Sequence, residues 1–263
     1  MKMALPEYQF LTLTLQVNTL RVTLNRPPVN ALSQGMVAEL QELADWIAVQ
    51  NDIWLVTLGH EGKTFCAGAD LKERATIPDN QVAAIVKDIQ RMCTAWAELP
   101  QVVVVALRGA ALGGGLELAL TGDILVADDT AELGFPEVVL GIIPGAGGTQ
   151  RLSRRTTAGV AQKWILTAEK FTAGEALQDG VLQFVYPEVE FENGLNALME
   201  RLRRNAPLAL RQAKIAIREG ARLPLPEALD FESDAYAPLI TSRDRQEALA
   251  AFQARRLPKW RGE

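Results

Sequence analysis

A chain of 263 residues, 48% of them apolar, can bury one α/β core with an appendage and predicts a globular protein. Its formal charge of −5 gives no broad positive field for a polyanion, which excludes nucleic acid and anionic membrane as general partners and leaves only a local basic patch for a phosphorylated small molecule. Cys66 and Cys93 fall in no metal-ligand spacing and the N-terminus has no apolar signal core; together these predict reduced thiols in a cytoplasmic protein, although spacing alone leaves a disulfide between them open.

In chain order, FLTLTLQ and LRVTLN alternate apolar and polar residues on either side of VNT and predict a β-hairpin. Ser33 then caps a predicted helix on which Met36, Val37, Leu40, Leu43, Ala44 and Ile47 recur every three or four residues and form one apolar stripe. IWLVTLG (53–59) and VVVVAL (102–107) are continuous apolar runs, as strands buried on both faces require, and residues 79–98 between them read as helix. Strands alternating with helices through the first two thirds predict an α/β fold. The stretch 102–120 has the length of a membrane span, but Arg108, Glu117 and four glycines make it strand, turn and helix. From about residue 190 the pattern becomes helical, at 192–205, 207–220, 224–240 and 242–256, each segment marked by Pro, Gly or a Ser/Asp cap. The chain therefore divides into 1–190 and 191–263. Apolar helices with no strand to cover are expected to bury against the first part or against another subunit.

Several familiar motifs fail on their details. GIIPGAGGTQ lacks the Lys-Ser/Thr pair of a P-loop, and the glycines at 113–115 lack the spaced third glycine of a dinucleotide fingerprint. The one histidine, His60, follows a predicted strand in GHEGK, where a solvated loop position is expected, so histidine-based nucleophilic catalysis is disfavoured. No cluster supplies metal ligands at recognisable spacing.

Three segments resist an ordinary reading. FCAGADLKE (65–73) breaks a strand with small residues that leave the backbone accessible. ALGGGLELAL (111–120) opens a helix on glycines, presenting unpaired N–H groups and the positive end of the dipole to an anion. FPEVVLGIIPGAGG (135–148) sets Glu137 behind a proline among apolar neighbours. Singly, each has a plain explanation: glycines allow close packing, Glu117 is a first-turn acid, and Glu137 is a loop residue in water. Together, two backbone-donor turns and two carboxylates in apolar surroundings are what polarises a carbonyl and moves protons beside it, and burial should raise the carboxylate pKa values.

LNRPPVNAL (24–32), FCAGADLKE, GAALGGGLELAL (109–120), FPEVVLGIIPGAGGTQRL (135–152) and RDRQEALAAFQARRLPKWRGE (243–263) resemble, in order and separation, the enoyl-CoA hydratase/isomerase family, or crotonase superfamily, over essentially the whole chain. The resemblance implies an α/β crotonase fold, a spiral of ββα units followed by a helical C-terminal region that builds homotrimers, often paired into hexamers. It implies an acyl-CoA thioester as substrate and no cofactor, coenzyme A being part of the substrate. It makes the N–H groups of Ala69 and Gly114 an oxyanion hole for the thioester oxygen. Ala31, Ala67, Gly68, Asp70 and Leu71 would line the adenine and pantetheine path, and Leu112, Gly113 and Pro136 the acyl pocket. Phe252 and Arg255 would serve a coenzyme site, often a neighbouring subunit's. Glu117 would activate water for attack at the β-carbon, and Glu137 would exchange the α-carbon proton.

Two acids favour a hydratase over an isomerase, which can work with the Glu137-like acid alone; dehydratases of carrier-protein-bound thioesters are similar enzymes. FCAGADLKERA and the tail resemble methylglutaconyl-CoA hydratases of leucine breakdown, whereas FPE and PGAGG resemble short-chain enoyl-CoA hydratases. Members that bind RNA do so through a lysine-rich early helix. The matching segment here, SQGMVAELQELADWIAVQND, has no Lys or Arg, so neither a nucleic acid nor a membrane is an expected partner.

Overall fold

In the computed structural model, which describes residues 3–263, the hairpin pairs β1 (Leu11–Gln16) with β2 (Thr19–Leu24) antiparallel, Leu11 facing Leu24. Val17 and Asn18 turn it at φ of 43° and 61°, the doubly left-handed turn that matches strand twist. Helix α1 (Gln34–Ala48) follows, its Ser33 cap accepting from the Met36 amide, and all six residues of the expected stripe are buried. Next come β3 (Leu55–His60), β4 (Thr64–Cys66), the single turn α2 (Leu71–Arg74), and α3 (Asp79–Ala97). The 102–120 stretch folds as β5 (Val102–Leu107), β6 (Ala110–Leu112) and α4 (Gly114–Ala119). Then follow β7 (Ile124–Asp128), β8 (Glu132–Gly134), a 3-10 turn (Pro136–Leu140), α5 (Gly148–Arg155), α6 (Ala158–Leu166), β9 (Lys170–Thr172), α7 (Ala173–Gln178) and β10 (Phe184–Tyr186). The C-terminal region is α8 (Phe191–Arg203), α9 (Pro207–Gly220), α10 (Leu225–Ile240) and α11 (Arg243–Gln253).

Three successive turns of the chain each lay one strand in a six-stranded sheet, ordered β1-β2-β3-β5-β7-β10, and the next in a four-stranded sheet, ordered β4-β6-β8-β9. β3, β5 and β7 are parallel neighbours in the first sheet, as are β4, β6 and β8 in the second, so the path is a spiral of ββα units. Each passage between the sheets is a short loop, and the two loops that follow β4 and β6 form the site described below.

The six-stranded sheet is covered twice. On one face Val56, Leu58, Val103, Val105 and Leu107 join the stripe of α1 and Met92, Cys93 and Trp96 of α3. On the other, Leu55, Val102, Val104 and Val126 meet Phe191, Leu195, Leu198 and Met199 of α8. This is why the strand sequences are apolar without alternation. α8 thereby buries against the first part of the chain, one of the two places expected for the helices beyond residue 190, as the second lid of the sheet. α9 is anchored by Lys214, whose buried Nζ lies 2.8 Å from both the Gln101 carbonyl and the Asp123 carboxylate. α10 and α11 keep apolar side chains in solvent, among them Leu225, Leu229, Ile240, Leu249 and Phe252.

His60 departs from expectation. It is the last residue of β3, buried, with its ring edge-on to Phe65, because β3 continues against β2 as far as the Leu24–His60 pair. Burial lowers its pKa. Cys66 and Cys93 are free thiols, as expected, both buried and pushed up to about 12 by desolvation. Among the described residues no helix is long and apolar enough to cross a membrane, and no three His, Cys, Asp or Glu side chains cluster as a metal would require.

Candidate active site

After β4 the chain passes alongside Leu32, which donates its amide to the Gly68 carbonyl at 2.8 Å and accepts from the Asp70 amide at 3.1 Å. A parallel bridge of this kind engages the residues on either side of Ala69 and leaves the Ala69 amide facing away. After β6, Gly113 donates to the Gly134 carbonyl at 2.9 Å and Gly114 opens α4 with its own amide unused by the helix. Neither the Ala69 nor the Gly114 amide makes a hydrogen bond among the described residues. The two lie close: a Cβ built on Gly114 would sit 3.5 Å from the Ala69 nitrogen, and one on Gly68 3.4 Å from the Gly114 nitrogen.

Glycine is required at two of these positions for different reasons. Gly115 lets α4 press on β4, since a Cβ there would fall 2.3 Å from the Cys66 carbonyl oxygen. Gly113 has φ of 51°, and its absent Cβ is the space taken by Glu137, whose Oε1 would be 2.7 Å away.

Glu117 lies in the first turn of α4 and is 3% exposed. Its Oε1 accepts from both the Ala146 and Gly148 amides at 2.7 Å, at the start of α5, and Arg151 braces that turn by donating to the Ala146 carbonyl. Burial raises its pKa, opposed by the amides and by the Arg151 charge. Glu137, placed by Pro136 in the 3-10 turn, is 8% exposed, and its buried Oε2 has no hydrogen-bond partner. Burial pushes its pKa up to about 7, and the charge of Glu117 pushes the same way. Two free amides thus stand beside two buried carboxyl groups, at least one of which exchanges its proton near neutral pH.

The remaining sequence candidates separate into two groups. Ala31, Ala67, Gly68, Asp70 and Leu71 lie on the loops around Ala69; the Ala31 carbonyl accepts from Arg26 at 3.0 Å, Ala67 and Leu71 are exposed, and Gly68 is buried. The Asp70 carboxylate is already occupied, capping α2 through the Lys72 and Glu73 amides and pairing with Arg26 at 2.7 Å, which holds its pKa below the usual range. Leu112 and Pro136 flank Gly113 and Glu137, both half-buried. Phe252 and Arg255 are not brought to this place. Phe252 is 84% exposed on α11, Arg255 is in the turn after it, and α11 is tied instead to the C-terminal tail through Glu247 and Asp244.

Several residues of the site escaped the sequence reading. The amides that seat Glu117, and Arg151 behind them, were visible only as the glycines of PGAGGTQR. Arg26, which holds the Ala31 and Asp70 loops together, was visible only within LNRPPVN. Ala69 also lines a cavity of about 410 Å³ between α1 and the α2–α3 segment, whose apolar wall includes Leu32, Val37, Ile77, Ile85 and Ile89. Ile85 and Ile89 fall in the helix expected over 79–98, but nothing in that expectation announced a cavity.

Residues 15–263 match the model of a family described as enoyl-CoA hydratase/isomerase. The chain is 43% identical to the enoyl-CoA isomerase/hydratase fer4 of Mycosarcoma maydis, covering 80% of this chain and 77% of that one. It is 36% identical to the 2,3-dehydroadipyl-CoA hydratase of Escherichia coli (94% and 96% covered) and 37% identical to the mitochondrial methylglutaconyl-CoA hydratase of Mus musculus (89% and 76%). A crystal structure of an enoyl-CoA hydratase from Bacillus anthracis superposes with a TM-score of 0.94 at 39% identity, covering 97% of this chain and all of that one. With a match over residues 15–263, relatives at 36% to 43% identity over most of both chains and the same spiral fold, the chain belongs to the enoyl-CoA hydratase/isomerase family, the crotonase superfamily, and is an enzyme of that family.

Proposed function

We propose that the protein is an enoyl-CoA hydratase, adding water reversibly across the 2,3 double bond of an enoyl-CoA thioester. The observation that carries this reading is the pair of unpartnered amides of Ala69 and Gly114 next to two buried carboxyl groups of raised pKa. The thioester oxygen accepts from both amides and is stabilised by them as it gains enolate charge; in acyl-transfer sites one such donor contributes about 3 kcal/mol. Both amides that seat Glu117 go to Oε1, which leaves Oε2 to hold and deprotonate a water aimed at C3. Glu137, poised near pH 7, passes a proton to C2. One C–O and one C–H bond form as the C2–C3 π bond, one O–H bond of water and the O–H bond of protonated Glu137 break; Glu117 then releases a proton and Glu137 takes one up, which resets the pair.

Around that centre, the loops at Ala31, Ala67, Gly68, Asp70 and Leu71 receive the coenzyme, the last two through backbone and hydrocarbon since the Asp70 carboxylate is engaged. Leu112, Gly113 and Pro136 shape the acyl end. Phe252 and Arg255 reach a coenzyme site only across a subunit boundary, and the solvent-exposed apolar side chains of α10 and α11 support a trimer or a pair of trimers. The relatives named hydratases at 36% and 37% identity support water addition, with 3-methylglutaconyl-CoA as a specific candidate substrate. The isomerase reading rests on Glu137, whose pKa alone would allow it to carry a proton between carbons.

Purified protein should consume the conjugated enoyl thioester of crotonyl-CoA or 3-methylglutaconyl-CoA, followed by its ultraviolet absorbance; no change with either, or with longer enoyl chains, refutes the hydratase reading. Glu117→Gln and Glu137→Gln should each lower hydration by about 10² to 10⁴ while coenzyme A binding persists. If Glu117→Gln keeps full activity in shifting a 3-enoyl double bond while losing hydration, the two acids have the separate duties assigned here.

A further inference from the structure

The cavity lined by Ala69 is apolar over much of its wall but is also lined by five charged side chains. Four of them are already engaged. Asp70 holds Arg26 and caps α2, Glu73 accepts from the Gln34 amide at 2.9 Å, and Asp88 and Arg91 pair with each other. The fifth, Arg74, is half-buried at the end of α2 and makes no side-chain hydrogen bond or ion pair among the described residues. Its guanidinium is left with five donors and no protein acceptor at a cavity whose wall is largely apolar. Its planar fork matches a carboxylate with two parallel hydrogen bonds.

We propose that Arg74 is a specificity-determining residue that selects acyl chains ending in a carboxylate. This rests on the hydratase reading above: the thioester oxygen sits on the Ala69 amide, Leu112, Gly113 and Pro136 flank the reacting carbons, and the cavity that Ala69 also lines takes the remainder of the acyl chain. Leu32, Ile77, Ile85 and Ile89 enclose the methylene carbons, and Arg74 receives the far end. The substrate class is a 2-enoyl-CoA derived from a dicarboxylic acid.

The test compares trans-2-hexenoyl-CoA with the six-carbon 2-enoyl-CoA that carries a carboxylate in place of the terminal methyl. One charge-assisted pair predicts a kcat/KM ratio favouring the carboxylated substrate by roughly tenfold or more in the unmodified protein. The ratio should fall toward one in Arg74→Gln and recover in part in Arg74→Lys. Calorimetric binding of the saturated, unreactive pair, adipyl-CoA and hexanoyl-CoA, should show the same preference and the same loss. Hydration of both enoyl substrates without preference overturns the role of Arg74 and leaves the hydratase reading standing. Preferential binding of adipyl-CoA without hydration of either substrate does the reverse. A preference that survives unchanged in Arg74→Gln assigns it to another residue.

Discussion

Substituting Gly113 by alanine should damage the reaction far more than the fold. Two effects act at this position. The backbone is at φ of 51°, where an L side chain is strained, at about 1–3 kcal/mol. The new Cβ would also stand 2.7 Å from Oε1 of Glu137, roughly an ångström inside ordinary contact, so the carboxyl group must move by about that distance. A displacement of that size at a reacting group lowers turnover by about a hundredfold. Gly62→Ala isolates the backbone effect, since Gly62 also has a positive φ, 83°, but its Cβ would meet nothing within 4 Å. Both variants should lose some stability, read as a fall of a few degrees in Tm for a domain of this size. Only Gly113→Ala should lose hydration activity, measured as kcat on crotonyl-CoA at saturation. Equal activity in the two variants would refute the assignment of that space to Glu137.

Two further predictions concern stability. The Glu137 carboxyl has a folded pKa of about 7, raised by burial from 4.5, so its favourable contribution is complete below pH 4.5 and is lost as pH rises through 7. Relative to Glu137→Gln, the unmodified protein should therefore weaken between pH 5 and pH 8 in urea unfolding, by up to about 3 kcal/mol; parallel curves across that range would contradict the raised pKa. Lys214→Met should destabilise by about 2–4 kcal/mol, because it leaves the Asp123 carboxylate and the Gln101 carbonyl without their shared donor. Adding Asp123→Asn should restore part of that loss, and a double variant no better than the single one would show that the ion pair is not the anchor.

The sequence disclosed its elements wherever one physical signal governed them. The stripe of α1, its Ser33 cap and the unbroken apolar runs of β3 and β5 follow directly from periodicity and burial. Which helix covers the second face of the sheet was hidden, because a run such as VVVVAL says that both faces are buried but not by what; α8 supplies the answer from far along the chain. His60 was misplaced because a strand that ends in one polar residue looks like a strand followed by a loop. At the site, both acids and both donor turns were legible as residues that disagreed with their surroundings. The fit of Glu137 into the absent side chain of Gly113, and the seat of Glu117 on the amides of Ala146 and Gly148, are long-range meetings that no local pattern encodes.

The two donors at Ala69 and Gly114 belong to the main chain, and this has a consequence for inheritance. Every residue but proline supplies an amide, so substitutions at these positions, proline apart, can crowd the donors but do not delete them. The acids at 117 and 137, by contrast, are each one substitution from disappearance. On the reading proposed above, a lineage built on this scaffold keeps the power to stabilise an enolate by default, while the fate of that enolate stays open to change one side chain at a time.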